Sequence, residues 1–176
     1  FPAESTLRII DDNSPRLAGS NAEKVHSLAY QLLYLAKRCR PDLLPASQFF
    51  TTRVSISTEQ DMNKAFHTLK YINHTRTLEL RLSVTQPLAI LCYIDSAHAV
   101  HPNKKSQSGS CIGLGVGSVH WATAGIKMNT KSSAESEFYG MGEHVTDAIF
   151  IRNYLLAQGY NFPPATVYQD NQAAIR

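Results

Sequence analysis

The sequence predicts an α/β layer with an antiparallel flank, preceded by a small helical subdomain. Before Pro87, apolar residues recur at helical spacing in three short runs with tight connections. After Pro87 the texture turns strand-rich, and the order becomes strand, strand, strand, helix, strand. The helix in that order, KSSAESEFYGMGEHVTDAIFIRNYLLAQG over 131–159, is the longest element expected in the chain. The change of texture divides the chain into domains 1–86 and 87–176.

Residues 1–19 are polar, with Pro2, Asp11, Asp12, Asn13 and Pro15, and read as an extended loop or linker. Ser20 followed by Glu23 has the form of a capping box, in which the two side chains satisfy free N–H groups at a helix start. Val25, Leu28, Ala29, Leu32, Leu33, Leu35 and Ala36 then form an apolar face up to about Arg38. Pro41 breaks this helix, because the residue before proline avoids the helical region. A second helix is expected over 42–52, with Leu43, Leu44 and Phe50 inward. A third starts after Ser57 or Thr58, carries Met62, Ala65, Phe66, Leu69 and Ile72, and ends near Asn73. Leu78, Leu80 and Leu82 alternate with Glu79 and Arg81, the pattern of a short half-buried strand.

In the second part, 88–94 (LAILCYI) is a continuous apolar run of strand length that ends at Asp95. Residues 109–117 (GSCIGLGVG) alternate with glycines, and 118–123 (SVHWAT) follows closely enough to be their antiparallel neighbour. Ser132 and Glu135 match S-x-x-E and cap the long helix. Phe138, Met141, Val145, Ala148, Ile149, Leu155 and Leu156 form its apolar stripe, and Gly159 supplies the stop. After Pro163 and Pro164 a last strand covers 165–168 and ends at Asp170.

Composition narrows the function classes. The 176 residues are 43% hydrophobic, normal for a globular core, and the net charge of +3 with a pI near 8.8 is only mildly basic. Nucleic acid is permitted as a partner, but this is not the footprint of a dedicated non-specific binder. Cys39, Cys92 and Cys111 are unclustered and odd in number, which points away from a disulfide framework or a zinc site and towards small buried hydrophobes in a reducing compartment. No apolar run is long enough to span a bilayer and no signal peptide opens the chain, so no membrane partner is expected. With Phe1 in place of methionine, the expectation is a fragment of a longer protein.

Asp95 and Asp170 each stand at the C-terminal end of an expected strand, and Glu137 lies in the first turns of the helix between them. If those strands are adjacent and parallel, joined by the helix as a crossover, both aspartates emerge at one edge of the sheet. Glu137 can then point at the same spot. Three convergent carboxylates repel, and the physical remedy is a divalent cation with hard oxygen ligands, most often Mg²⁺. Two such ions about 4 Å apart are the usual device for in-line attack by water on a phosphodiester. Spacing alone leaves the plainer reading open, that these carboxylates are turn residues and helix caps.

The segments YIDSAHAVHPNKKSQSG (93–109), KMNTKSSAESEFYG (127–140) and VYQDNQAAI (167–175) resemble the ribonuclease H domain of copia-type retrotransposon polyproteins. Upstream, HSLAYQLLYLAKRCRPDLL (26–44) and KAFHTLKYINHTRTLELRL (64–82) resemble the helical connection that follows the reverse-transcriptase palm in the same polyproteins. The resemblance implies a ribonuclease H-like fold: a mixed sheet with a crossover helix. It implies cleavage of the RNA strand of an RNA–DNA hybrid with two Mg²⁺ ions, Mn²⁺ being the alternative. Asp95 matches the family's first-strand aspartate, Glu137 its helix glutamate and Asp170 its D-N-Q aspartate. The implied partners are the hybrid and the rest of the polyprotein, with the palm upstream and the remaining nuclease helices downstream. The implied setting is intracellular, a cytoplasmic particle or the nucleus. The family's fourth acidic ligand lies beyond Arg176, and of its Lys-Gln-Lys run only Lys127 persists, after Gly125 and Ile126.

Lys104, Lys105, Lys127 and Lys131 fall in loops around the expected site and suit phosphate contacts, which position a duplex without reading its sequence. A merely solvated face is an equal alternative. Asn171 and Gln172 are placed to hydrogen-bond 2′-hydroxyls, while capping a following helix is as good a role for Asn171. Glu135 reads as a capping partner, His144 as a surface or packing residue, and His98 and His101 as solvated loop histidines. Trp121 and Tyr30, Tyr34, Tyr71 and Tyr154 read as core. The rival to a nuclease is a non-catalytic ribonuclease H-fold module that serves in assembly. The lack of a basic recognition helix points away from a sequence-specific DNA binder.

Overall fold

The structure is a computed structural model and describes residues 2, 6–101 and 103–172. It is mixed α/β and divides into two compact units, Phe1–Leu80 and Arg81–Arg176. No helix among the described residues is long and apolar enough to cross a membrane.

The first unit is helical. Helix α1 (Gly19–Arg38) buries Val25, Ala29, Leu32 and Ala36. The Ser20–Glu23 capping box does not form. The helix begins at Gly19, so Ser20 lies inside the first turn, and the N-cap is Ala18, whose side chain caps nothing. A 3₁₀ turn (Pro41–Leu43) leads into α2 (Leu44–Arg53), which buries Phe49 and Phe50 in edge-to-face contact at 5.5 Å. Helix α3 (Glu59–His74) starts from a true capping box, Thr58 with Asp61. Ala29, Leu32, Ala46, Phe49, Phe50 and Ala65 form the core together with Leu7. The N-terminal stretch is therefore part of this unit rather than a free linker, and Lys64 Nζ ties it down by donating to the Leu7 carbonyl at 2.9 Å. Phe66 and Leu69, expected inward, are exposed, as are Tyr30 and Tyr34. Cys39 is exposed too, so it is not the buried hydrophobe expected of it.

The second unit holds strands β1 (Ser83–Val84), β2 (Leu91–Ala97), β3 (Gln107–Gly113), β4 (Gly115–Val116) and β5 (Ser118–Gly125). Helix α4 (Ser133–Ala157) and strand β6 (Thr166–Tyr168) follow. The main sheet has the order β5-β3-β2-β6, with β2 antiparallel to β3, β3 antiparallel to β5, and β2 parallel to β6. Helix α4 is the crossover that a parallel neighbour of β2 requires. The strand expected over Leu78, Leu80 and Leu82 is absent; Leu78 and Leu82 are half exposed, and only residues 83–84 find a partner, in β4. That pairing draws Arg81 onward into the second unit, ahead of the boundary suggested by Pro87. The glycines of 109–117 divide that stretch into two strands. At Gly117, with φ +74°, a side chain would strike the Arg81 carbonyl.

The unit's core joins Ile90, Cys92, Ile94 and Ile112 of the sheet layer to Ala148 of α4 and Phe162, with Met141, Ile151 and Leu155 packed against them. Burial pushes the Cys92 thiol up to about 11, so it remains a protonated apolar filler. The inward face of α4 is not the stripe its hydrophobicity suggests. Phe138, Ile149 and Tyr154 are exposed, while Glu137, Gly140, His144 and Ala148 are buried. Part of the reason lies opposite: besides the aliphatic core that Met141 joins, the first half of the helix meets Ser96, Ser108 and Ser110.

Candidate metal centre

Carboxylate oxygens of Asp95, Glu137 and Asp170 lie within 4.8 Å of one another. Three different elements deliver them. Asp95 is not at a strand end but inside β2, in register with Gly109 of β3, because the antiparallel ladder continues to Ala97–Gln107. Alternation along β2 buries Cys92, Ile94 and Ser96 on one face and turns Asp95 to the exposed other face. Parallel pairing with β6 ends at Tyr93–Tyr168, so β2 runs on past its neighbour. Asp170 follows two residues after β6 at this open edge and is exposed.

Glu137 comes from the first turns of α4. Ser132 caps that helix by accepting from the Glu135 N–H at 3.1 Å, and the Glu135 carboxylate reaches back to the Lys131 N–H at 2.6 Å. Glu135 is thus a capping group, while Glu137 faces inward and is 3% exposed. One turn on, Gly140 lets the helix approach β2 so closely that a Cβ there would collide with the Ser96 hydroxyl. That hydroxyl is buried and has no hydrogen-bond partner among the described residues. Ser96 also holds the site through its backbone, whose N–H is hydrogen-bonded to the Glu137 carboxylate.

The electrostatics are under-compensated. Burial raises the Glu137 pKa above its ordinary value, a hydrogen bond from Gln169 opposes the rise, and the charges of Asp95 and Asp170 add to it. Two unit charges this far apart repel by about 1 kcal/mol in water and about 3.5 kcal/mol at an effective dielectric of 20. Among the described residues no ion pair joins Lys or Arg to Glu137. Three hard oxygen donors, one of them desolvated, fit the donor set of a divalent ion such as Mg²⁺.

Sequence reading passed over Gln169. Its amide nitrogen donates to Glu137 Oε2 at 3.0 Å, and its carbonyl oxygen accepts from the backbone N–H groups of Asp170 (2.8 Å) and Asn171 (3.3 Å). A glutamine next to the strand-end aspartate was the available signal, but nothing in its spacing pointed to a partner in α4.

The remaining candidates divide. Lys104 and Lys105 are exposed in the β2–β3 connection, and Lys127 and Lys131 are exposed in the β5–α4 connection. Hydrogen bonds between Thr130 and His98 (3.2 Å) and between Thr130 and Ser106 (2.8 Å) join these two loops. His98 also contacts Ser136 Oγ at 3.1 Å, and His101 is bonded to Gln107 at 2.7 Å, so neither is simply a solvated histidine. Asn171 is half-buried and Gln172 exposed, both directly after Asp170. Residues 173–175 of the third resembling segment lie outside the described residues. His144, buried, bridges Ser110 and Ser108 at 3.1 Å each, and burial lowers its pKa, as befits a packing residue.

No protein-family model, no curated protein and no solved structure matches this chain.

Proposed function

We propose that residues 81–176 belong to a ribonuclease H-type endonuclease that hydrolyses the RNA strand of RNA–DNA hybrids. In this reading the chain is part of a copia-type retrotransposon polyprotein, with residues 1–80 as its reverse-transcriptase connection. The observation that carries the proposal is the convergence of Asp95, Glu137 and Asp170, from three elements far apart in sequence, within 4.8 Å. The sheet order β5-β3-β2-β6, with an antiparallel β5–β3–β2 ladder and β6 parallel to β2 at the other edge, supports a ribonuclease H-like fold.

Asp95, Glu137 and Asp170 are the residues that hold divalent ions in this scheme. When bound, a pair of such ions supplies activation of the attacking water and charge neutralisation at the scissile phosphate. The chain's own residues do the rest. Asp95 is immobilised by its place in the ladder, Glu137 by the Ser96 N–H and the close helix contact, and Asp170 by Gln169. Lys104, Lys105, Lys127 and Lys131 hold phosphates of the duplex, and Asn171 and Gln172 meet the 2′-hydroxyls of the RNA strand.

The test is Mg²⁺-dependent cleavage of a labelled RNA–DNA hybrid, with duplex DNA as the control. Wild type cuts only the RNA strand, and Asp95→Asn and Glu137→Gln each lose at least about a hundredfold in rate, as removal of a group acting directly on transition-state charge does. Equal rates in all three proteins sink the site. A folded, ion-binding wild type that cuts nothing leaves the non-catalytic module in its place.

A further inference from the structure

Gln169 touches two arms of the triad at once, and it does so with opposite ends of its amide. The NH₂ group faces Glu137 in α4, and the oxygen faces the backbone that carries Asp170. The β6 ladder ends at Tyr168, and Asp170 lies beyond it, whereas Asp95 is gripped within the β2–β3 ladder. An amide suits this place because its donor end offsets a buried carboxylate without adding charge, and its acceptor end curls the following backbone.

We propose that Gln169 is a positioning residue that fixes Glu137 against Asp170 before any cation arrives. The proposal rests on the metal-centre reading and adds to it a device that holds three mutually repelling carboxylates assembled in the metal-free protein. Groups that hydrogen-bond a ligating carboxylate set how much of the ordering is complete before the ion binds.

A double-mutant cycle on the whole chain in EDTA, followed by Mn²⁺ titration calorimetry, tests this. Gln169→Met keeps the length of the side chain and removes both polar ends. In EDTA it lowers the folding equilibrium constant about tenfold, the scale of one lost hydrogen bond to a charged group. When Glu137 has already been replaced in Glu137→Met, the same change costs about threefold or less, because only the backbone contacts remain to be lost. Equal losses in the two backgrounds overturn the proposal. In the titration, folded Gln169→Met binds Mn²⁺ at least about tenfold more weakly than wild type; unchanged affinity overturns the proposal.

Should Gln169→Met fail to fold, Gln169→Asn is read against the same outcomes. A shorter Asn keeps a hydrogen bond to the backbone two residues on, but its amide falls short of Glu137. Coupling in EDTA with no Mn²⁺ uptake by wild type defeats the metal reading and this proposal together. Mn²⁺ uptake by wild type without coupling defeats the proposal alone.

Discussion

Among the described residues two carboxylates are buried, Asp61 in the helical unit and Glu137 in the α/β unit, and their surroundings are opposites. Asp61, fully buried, accepts from Arg53 Nε at 2.7 Å and from the Thr58 N–H and hydroxyl at 2.9 and 3.1 Å. It closes the capping box of α3 and neutralises a buried guanidinium, so both its oxygens and its charge are satisfied. Among the described residues Glu137 has neutral donors, the Gln169 amide and the Ser96 N–H, and two further carboxylates face it. A buried acid with a complete set of partners is architecture. One left with neutral donors and like charges is, in the proposed reading, a place for a cation.

That contrast is most strongly tested by removing the satisfied acid. Asp61→Ala strands Arg53 in the interior and costs about 3–5 kcal/mol in urea unfolding. The loss is the same with or without Mg²⁺. A cost below about 1 kcal/mol, the level of an exposed pair, erases the distinction.

Next in size is the response to the ion. Free Mg²⁺ at about a hundredfold over its dissociation constant stabilises wild type by about 2.7 kcal/mol, an effect that Glu137→Gln and Asp95→Asn abolish. A Thr58→Ala variant, weakened in the other unit, keeps the whole of it. Thermal melts with and without the ion read both results.

Gly140→Ala probes how Glu137 is carried inward. The new methyl meets the Ser96 hydroxyl, and overpacking of this kind costs about 1–3 kcal/mol. Ser96→Ala removes a hydroxyl with no partner among the described residues and restores part of that loss. If the double variant is no better than Gly140→Ala, the close contact does not set the helix position.

The smallest effect is a slope. The folded pKa of Glu137 is raised above 4.5, so the native state binds the extra proton, and metal-free stability falls as pH rises from 4.5 through the folded value. His144 works in the other direction. Its folded pKa lies below 6.5, so stability is lost as pH drops beneath 6.5. The Glu137 contribution is therefore read as wild type minus Glu137→Gln in EDTA, and a difference that does not vary with pH contradicts the assigned burial.

The three acids each sit at a landmark: an apolar run, a capped helix start and a second strand. Spacing alone left turn residues and helix caps as an open reading, and it was the family resemblance that singled them out. Their supports were not legible. The Ser96 contribution is a backbone N–H, which any residue would supply, and Gln169 meets a partner 32 residues away with no periodicity to announce it. Hydrophobicity misplaced the inward face of α4, counting Phe138 in and ignoring Gly140, in part because the serines of β2 and β3 give its first half a polar contact. The strand read at Leu78–Leu80–Leu82 had the right alternation but no neighbour to pair with. Alternation describes a surface and does not provide the second strand.

The parallel pairing of β6 with β2 also has a consequence for biosynthesis. Asp95 and Glu137 leave the ribosome well before Asp170, and the antiparallel β2–β3–β5 meander can form from contiguous chain while β6 is still unmade. Until β6 docks, the nascent sheet presents two acids of the three and lacks Gln169. Convergence of Asp95, Glu137 and Asp170 is thus tied to the arrival of β6.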